Sequence, residues 1–305
     1  MDWIEKKIDA IARDRSHGAA QLANSALRIL ITLCRRSKGK DLEQLTSTVR
    51  QTALSLAKVR PSMAPVGNWS LLFAHRFQEI INQTISLPEA KQQGILLGEE
   101  LLARQQRCVE LQVKAARAIL KNCRSLFTLS YSSTVESILL QSLPPGCRVV
   151  IAESRPLMEG RRLFKNLKHI FADLRMITDA QMGLNIPKTD IVMVGADTIL
   201  SDLAVVNKTG TYLSALVSHT HGRDFFVAAD TYKINAHMDS HNCILESKSG
   251  RELWPQHEKH CENVYFDITP PEFISGFVTE EGILDLAGMQ LHVEKWEELY
   301  RDLES

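Results

Sequence analysis

Near residue 123 the sequence changes rhythm, and that change limits the folds open to the chain. Five short runs follow: SLFTLS (125–130), RVVIAES (148–154), LRMIT (174–178), DIVMVGAD (190–197) and DFFVAAD (224–230). Most are apolar nearly throughout, as strands covered on both faces are. Helix-length amphipathic segments at 132–142, 157–170 and 209–221 separate several of them. Strand and helix in alternation predict an α/β domain built on an open, doubly wound parallel sheet. Right-handed crossovers then set every strand's carboxyl end on one edge, where such sheets receive ligands.

Before that change the periodicity is helical. Ile4, Ile8 and Ile11 form one stripe and Leu22, Ala26, Ile29 and Leu33 another. Leu42, Leu45, Val49, Leu56 and Val59 continue the spacing until RPSMAP stops the helix. A further long helix is predicted from about Ile95 to Leu120, beginning after a break at Gly94. The reading is a helical domain over 1–122 and a Rossmann-like, ligand-binding domain over 123–305.

Charge narrows the function classes. Lys+Arg and Asp+Glu balance at 36 each, so no global field points to nucleic acid or a membrane surface. The basic cluster RILITLCRRSKGK reads as a solvated helix end. Six cysteines are scattered without a CxxC pair, which fits a reducing compartment and no disulfide framework. MDWIEKKIDAIARDR is charged and helical, unlike a signal peptide, and no apolar run approaches the ~18 residues of a membrane span. A cytoplasmic protein is expected.

Four strand ends carry the chemistry. TLSYSST crowds Thr128, Ser130, Ser132 and Ser133 into a strand-to-helix turn, suited to an anion such as phosphate or to plain N-capping. ESRPLMEGRR offers Arg155, Arg161 and Arg162, which could grip phosphate but are better read as salt-bridged to Glu153 and Glu159. Asp197 ends DIVMVGAD, where partial desolvation would raise its pKa into an acid/base range, or where it caps the next turn. Asn207 and Lys208 stand before the helical segment TGTYLSALVSHT, where an ammonium and a helix N-terminus could hold a phosphate or a sugar oxygen. TYK adds Lys233 after the last strand. His237, His241, His257 and His260 read as loop residues, and no metal site is expected. Neither GxGxxG nor GxxxxGK[ST] occurs, so nothing supports a dinucleotide cofactor or a P-loop.

ESRPLMEGRRL, VGADTILSDLAVVNKTGTYLSALVSHTHGRDFFVAADTYK and FDITPPEFISGFVTEEGIL, with HGAAQLANSAL and VRPSMAPVGN earlier, resemble one superfamily over the whole chain. It holds the regulatory alpha, beta and delta subunits of translation initiation factor 2B and isomerases of methylthioribose 1-phosphate and ribose 1,5-bisphosphate. The resemblance implies a helical domain, a Rossmann-like domain, a two-fold dimer (a homodimer or higher even oligomer) and a phosphorylated small molecule bound between the domains. It implies no cofactor, and a translation factor is a candidate partner. In the isomerases a cysteine at the first strand end and the aspartate of GAD shuttle the proton or hydride. The aspartate carries over as Asp197, the substrate-holding pair as Asn207 and Lys208, and phosphate-holding positions as Gly18, Ala19 and Arg60, with Ser132, Ser133 and Lys233 beside them.

The cysteine does not carry over, because TLSYSS puts Ser130 where the isomerases read THC. A thiol ionises near about 8.5, whereas a serine hydroxyl is far less acidic. General acid–base action is worth about 10²–10⁴-fold, so an isomerase relying on that position should be crippled. His17 replaces the arginine usual before Gly-Ala, and SDLAV the Asn-Gly turn after GAD. The missing thiol favours a regulatory, ligand-binding subunit. The retained Asp197, Asn207 and Lys208 favour the alternative, an aldose–ketose isomerase of a phosphorylated ribose.

Overall fold

Leu22, Ala26, Ile29 and Leu33 are all buried, and so are Leu45, Val49 and Leu56. These are the stripes of a helical half. In the computed structural model, which describes residues 3–14, 17–37, 39, 41–83 and 86–304, that half comprises α1 (Trp3–Arg13), α2 (Ala19–Arg36), α3 (Leu42–Val59), α4 (Ala64–Gln83) and α5 (Leu87–Leu120). The Asp41 carboxylate caps α3 by accepting from the Gln44 amide at 2.8 Å. α4 is buried around most of its first two turns, from Ala64 to Leu71. A helix covered on all sides shows no single stripe, which is why its periodicity is faint.

The predicted break at Gly94 does not occur. α5 runs unbroken through Gly94 and Gly98, which serve close packing instead. A Cβ at Gly94 would lie 2.6 Å from Cys34 Sγ and 2.8 Å from a Phe77 ring carbon, and one at Gly98 2.2 Å from Ile31 Cγ1. Glycine at these places is chosen by its neighbours, at a modest cost in helix propensity.

After α5 come β1 (Ser125–Leu129), α6 (Ser133–Ser142), β2 (Arg148–Ala152), α7 (Gly160–Leu167), β3 (Leu174–Ile177), the short α8 (Met182–Asn185) and β4 (Ile191–Gly195). Next are β5 (Thr198–Leu200), β6 (Val205–Lys208), α9 (Thr211–Thr220), β7 (Asp224–Ala228), β8 (Ile234–Asn235), β9 (Phe266–Thr269), β10 (Gly276–Thr279), β11 (Gly282–Leu284) and α10 (Leu286–Glu304). All five predicted strands are present, with the three helices between them.

The large sheet has the order β11-β10-β7-β4-β1-β2-β3, parallel except for the β10–β11 hairpin. The chain winds outward from β1 through β2 to β3, then crosses back to β4 and winds the other way. Phe127, Phe225 and Phe277 of the large sheet are each fully buried, worth about 1.5–3 kcal/mol of burial apiece. A second sheet, β8-β5-β6-β9, was not expected. Its strands are two to four residues long, too short to set up a legible alternation.

The chain divides into two compact units, Met1–Arg107 with Glu297–Ser305, and Cys108–Trp296. The divisions fall inside α5 and α10. No described helix is long and apolar enough to cross a membrane.

Candidate functional site

In the second unit, strand order reverses between β1 and β4, and a doubly wound sheet opens a crevice at such a reversal. The local sequence shapes this edge. β1 ends at Leu129, and Ser130 follows with φ 61°, buried, its amide donating to Ser154 Oγ at 2.7 Å. Ser154 leaves β2 with φ 64°, and its amide and that of Arg155 both donate to the Asp179 carboxylate at 2.8 Å. Ser132 then caps α6, its Oγ accepting from Val135 N at 3.3 Å, and Ser133 is the first helical residue. β4 ends at Gly195, where a Cβ would stand 2.8 Å from Ser132 Oγ. Glycine here lets the two central strand ends close on each other.

Asp197, half-buried, links the sheets: β4 precedes it, β5 follows it, and its amide donates to Val206 O at 2.9 Å. Lys233, buried in the turn after β7, donates from Nζ to Ala196 O at 2.7 Å.

Asn207 and Lys208 stand just before α9, as expected, and are the last two residues of β6, paired with Asp267 and Phe266 of β9 and buried. Asn207 Nδ2 donates to Thr211 Oγ1 at 2.9 Å. Lys208 Nζ lies 3.1 Å from Glu159 Oε1 and 5.0 Å from the centre of the Tyr265 ring. The amino end of α9 holds an acid from β9. Asp267 Oδ2 accepts from Gly210 N at 2.7 Å and Tyr212 N at 3.2 Å, so a carboxylate already meets the helix dipole. Burial pushes Asp267 up to about 6. Sequence reasoning missed this residue; an acid inside the aromatic run YFDIT was its signal.

ESRPLMEGRR is salt-bridged only in part: Arg161 Nη2 meets Glu153 Oε2 at 2.9 Å, whereas Arg162 lies 3.8 Å over the Tyr131 ring and Glu159 pairs with Lys208 instead of an arginine. Glu280, at the turn after β10, was also missed. It accepts from Thr231 N at 3.1 Å and Thr231 Oγ1 at 2.5 Å, and burial, with Asp230 beside it, pushes it up to about 7. Burial raises Asp230 as well, against the pull of Lys233.

Ser130, Ser132, Ser133, Asp197, Asn207, Lys208 and Lys233 thus lie together in the second unit, around the carboxyl ends of β1, β4 and β7. Gly18, Ala19 and Arg60 belong to the first unit. Gly18 is the N-cap residue of α2 with open space where a Cβ would be, and Ala19 is buried in the first turn. Arg60, buried past the end of α3, donates from Nη1 to Asp14 O at 2.8 Å, while its Nε finds no partner. His17 Nδ1 faces Asp14 at 2.8 Å. Among the described residues no group of three His, Cys, Asp or Glu side chains could hold a metal.

A mostly parallel sheet whose strand order reverses at its centre, with helices between its strands, makes the second unit an α/β fold. The Initiation factor 2 subunit family matches residues 15–286, and the chain belongs to that family. It is 31% identical over 289 residues to a Pyrococcus abyssi protein named translation initiation factor eIF-2B subunit 2-like, covering 93% of this chain and 96% of that one. A ribose 1,5-bisphosphate isomerase of Thermococcus kodakarensis is 26% identical over 277 residues, 88% of this chain and 86% of the enzyme. The crystal structure of a Pyrococcus horikoshii OT3 translation initiation factor eIF-2B superposes with a TM-score of 0.78 at 30% identity, covering 94% of this chain and 98% of that one.

Proposed function

We propose that the chain is an initiation factor 2B-like regulatory protein that binds a phosphorylated sugar or nucleotide at the carboxyl edge of the large sheet and leaves it unchanged. One observation supports this reading: Ser130, a serine, is the residue that follows β1, and Cys34, Cys108, Cys123 and Cys147 all lie elsewhere in the fold. Cys123 is at the opposite end of β1, buried, its Sγ 3.4 Å from Ser125 O and 3.9 Å from Cys147 Sγ. Cys34 and Cys108 are buried on α2 and α5. A serine hydroxyl at the β1 end is too weak an acid to share a proton shuttle between adjacent carbons with Asp197. The edge still suits an anionic polyol. It offers serine hydroxyls, the α6 amino end, and the Asn207, Lys208 and Lys233 side chains. The same reading carries an even-numbered assembly and a translation-factor partner.

The runner-up is an aldose–ketose isomerase of a phosphorylated ribose. The specific support is Asp197 held on the same edge as buried Asn207 and Lys208. Incubation of the pure protein with ribose 1,5-bisphosphate, followed for ketose formation, separates the two. We expect no ketose. Turnover that disappears in Asp197→Asn would replace the binding reading with the enzymatic one.

A further inference from the structure

We propose that Cys123 and Cys147 are a redox site, at which a hydroperoxide converts the two thiols to a disulfide that ties the amino ends of β1 and β2 together. The pair lies at the end of the large sheet away from Ser130 and Ser154, and the site stands whatever the other edge binds.

Two turns bring the thiols together. Cys123 follows the end of α5 and leads into β1, and Cys147 leads into β2. β1 and β2 are parallel neighbours with Ser125 opposite Arg148, and the Arg148 amide donates to Arg124 O at 2.9 Å. Residues 24 apart in the chain therefore arrive side by side, their sulfurs 3.9 Å apart. A disulfide needs about 2.05 Å, so each sulfur has only about 1 Å to travel. Cys147 follows Gly146, where a Cβ would stand in open space, so that turn has room to give.

Both residues pack among Leu120, Leu126, Leu143 and Val149, as small apolar side chains would. Two features go beyond packing. The thiols form a relay: Cys123 Sγ donates to Ser125 O at 3.4 Å, which leaves Cys147 as the donor between the sulfurs. That donation lowers the Cys123 pKa, against burial and the Asp190 carboxylate, while the same contact and burial raise Cys147. Cys123 is also the more accessible of the two, 6% exposed against 1%. Cys123 is then the thiol that meets the oxidant, and Cys147 the one that resolves it.

The Cys123 thiolate attacks one peroxide oxygen. The O–O bond breaks, and the other oxygen leaves as hydroxide and takes up the proton the thiol released. Cys147 sulfur then attacks the sulfur of the Cys123 sulfenic acid; the S–O bond breaks, and a second water leaves with the Cys147 proton. Two electrons pass from the thiols to the peroxide. A small dithiol reverses the step by exchange. In a reducing compartment the pair rests as thiols, and the bond is a transient response rather than a framework.

The test treats the folded full chain with hydrogen peroxide, well below its melting midpoint, and maps its peptides without reduction. A crosslink between the peptides holding Cys123 and Cys147, removed by dithiothreitol, is expected. Cys243→Ser/Cys261→Ser, which removes the two partly exposed thiols and leaves four of the six, should fall to two when the oxidised chain is titrated under denaturing conditions. In Cys147→Ser the crosslink should vanish, and dimedone should capture Cys123 as the sulfenic acid. Closing a loop between residues 24 apart should raise the thermal midpoint by about 5 °C. A wild-type map without the crosslink, whether the two thiols survive or pass straight to sulfinic acid, overturns the proposal whatever the variants do. So does a crosslink accompanied by a lower midpoint, which would mark a bond that only the unfolded chain forms.

Discussion

Gly160→Ala is expected to lower the thermal midpoint by roughly 6–12 °C, a loss of about 3 kcal/mol. Gly160 opens α7 hard against the end of β2. A Cβ there would lie 2.1 Å from Ala152 O and 3.1 Å from both Ala152 C and Glu153 Cα. Those atoms are main chain, so no rotamer change can make room. Alanine's better helix propensity, about 1 kcal/mol, is too small to offset a clash of that kind. The helix must lift from the strand, and Glu159, the residue before it, moves with it away from Lys208. Gly183→Ala is the control, because nothing lies within 4 Å of a Cβ at that position. Circular dichroism melts of the two variants decide the matter. A Gly160→Ala midpoint within about 1 °C of wild type would mean that the α7–β2 approach is looser than described.

Glu280→Gln is expected to stabilise the protein at pH 8 and to leave it nearly unchanged at pH 5. Burial and the neighbouring Asp230 raise the Glu280 carboxyl from 4.5 to about 7. A raised carboxyl binds its proton more tightly in the folded chain than in the unfolded one. Its contribution is therefore complete below about 4.5 and is lost as pH climbs through about 7. A gap of that size is on the order of 3 kcal/mol. Glutamine keeps an oxygen to accept from Thr231 N and Oγ1 and removes the charge facing Asp230. Melting midpoints between pH 5 and 8 should fall in wild type and flatten in the variant. A shallower decline should remain at the acidic end from Asp267, which is raised to about 6. Parallel pH profiles for the two proteins would refute the assignment.

How far the sequence could be read follows from where each signal is local. Four of the five predicted strands were legible because burial on both faces makes them mostly apolar, and SLFTL and IVMVG are buried almost end to end, while the edge strand LRMI is only half-buried. The helical stripes of α2 and α3 were legible because one face packs and the other is wet. The course of α5 was not, since whether Gly94 breaks a helix or accepts Cys34 and Phe77 depends on chains about 60 and 17 residues away. The polar edge was found residue by residue, yet its wiring was not. Asn207 and Lys208 read only as residues before a helix until β9 arrives, with Asp267 60 residues downstream of the one and Phe266 58 downstream of the other. The same arrival brings Asp267, which occupies the α9 amino end. Glu159 was noticed as a salt-bridge partner, but only the fold shows that its partner is Lys208 rather than a nearby arginine.

Amide hydrogen exchange of the full chain, with and without saturating ribose 5-phosphate, tests most directly whether a phosphorylated sugar seats on this edge. Slower exchange confined to peptides spanning 130–136, 196–198 and 207–212 is the predicted result. Unchanged exchange in all three segments, or protection appearing only elsewhere in the chain, would contradict the account.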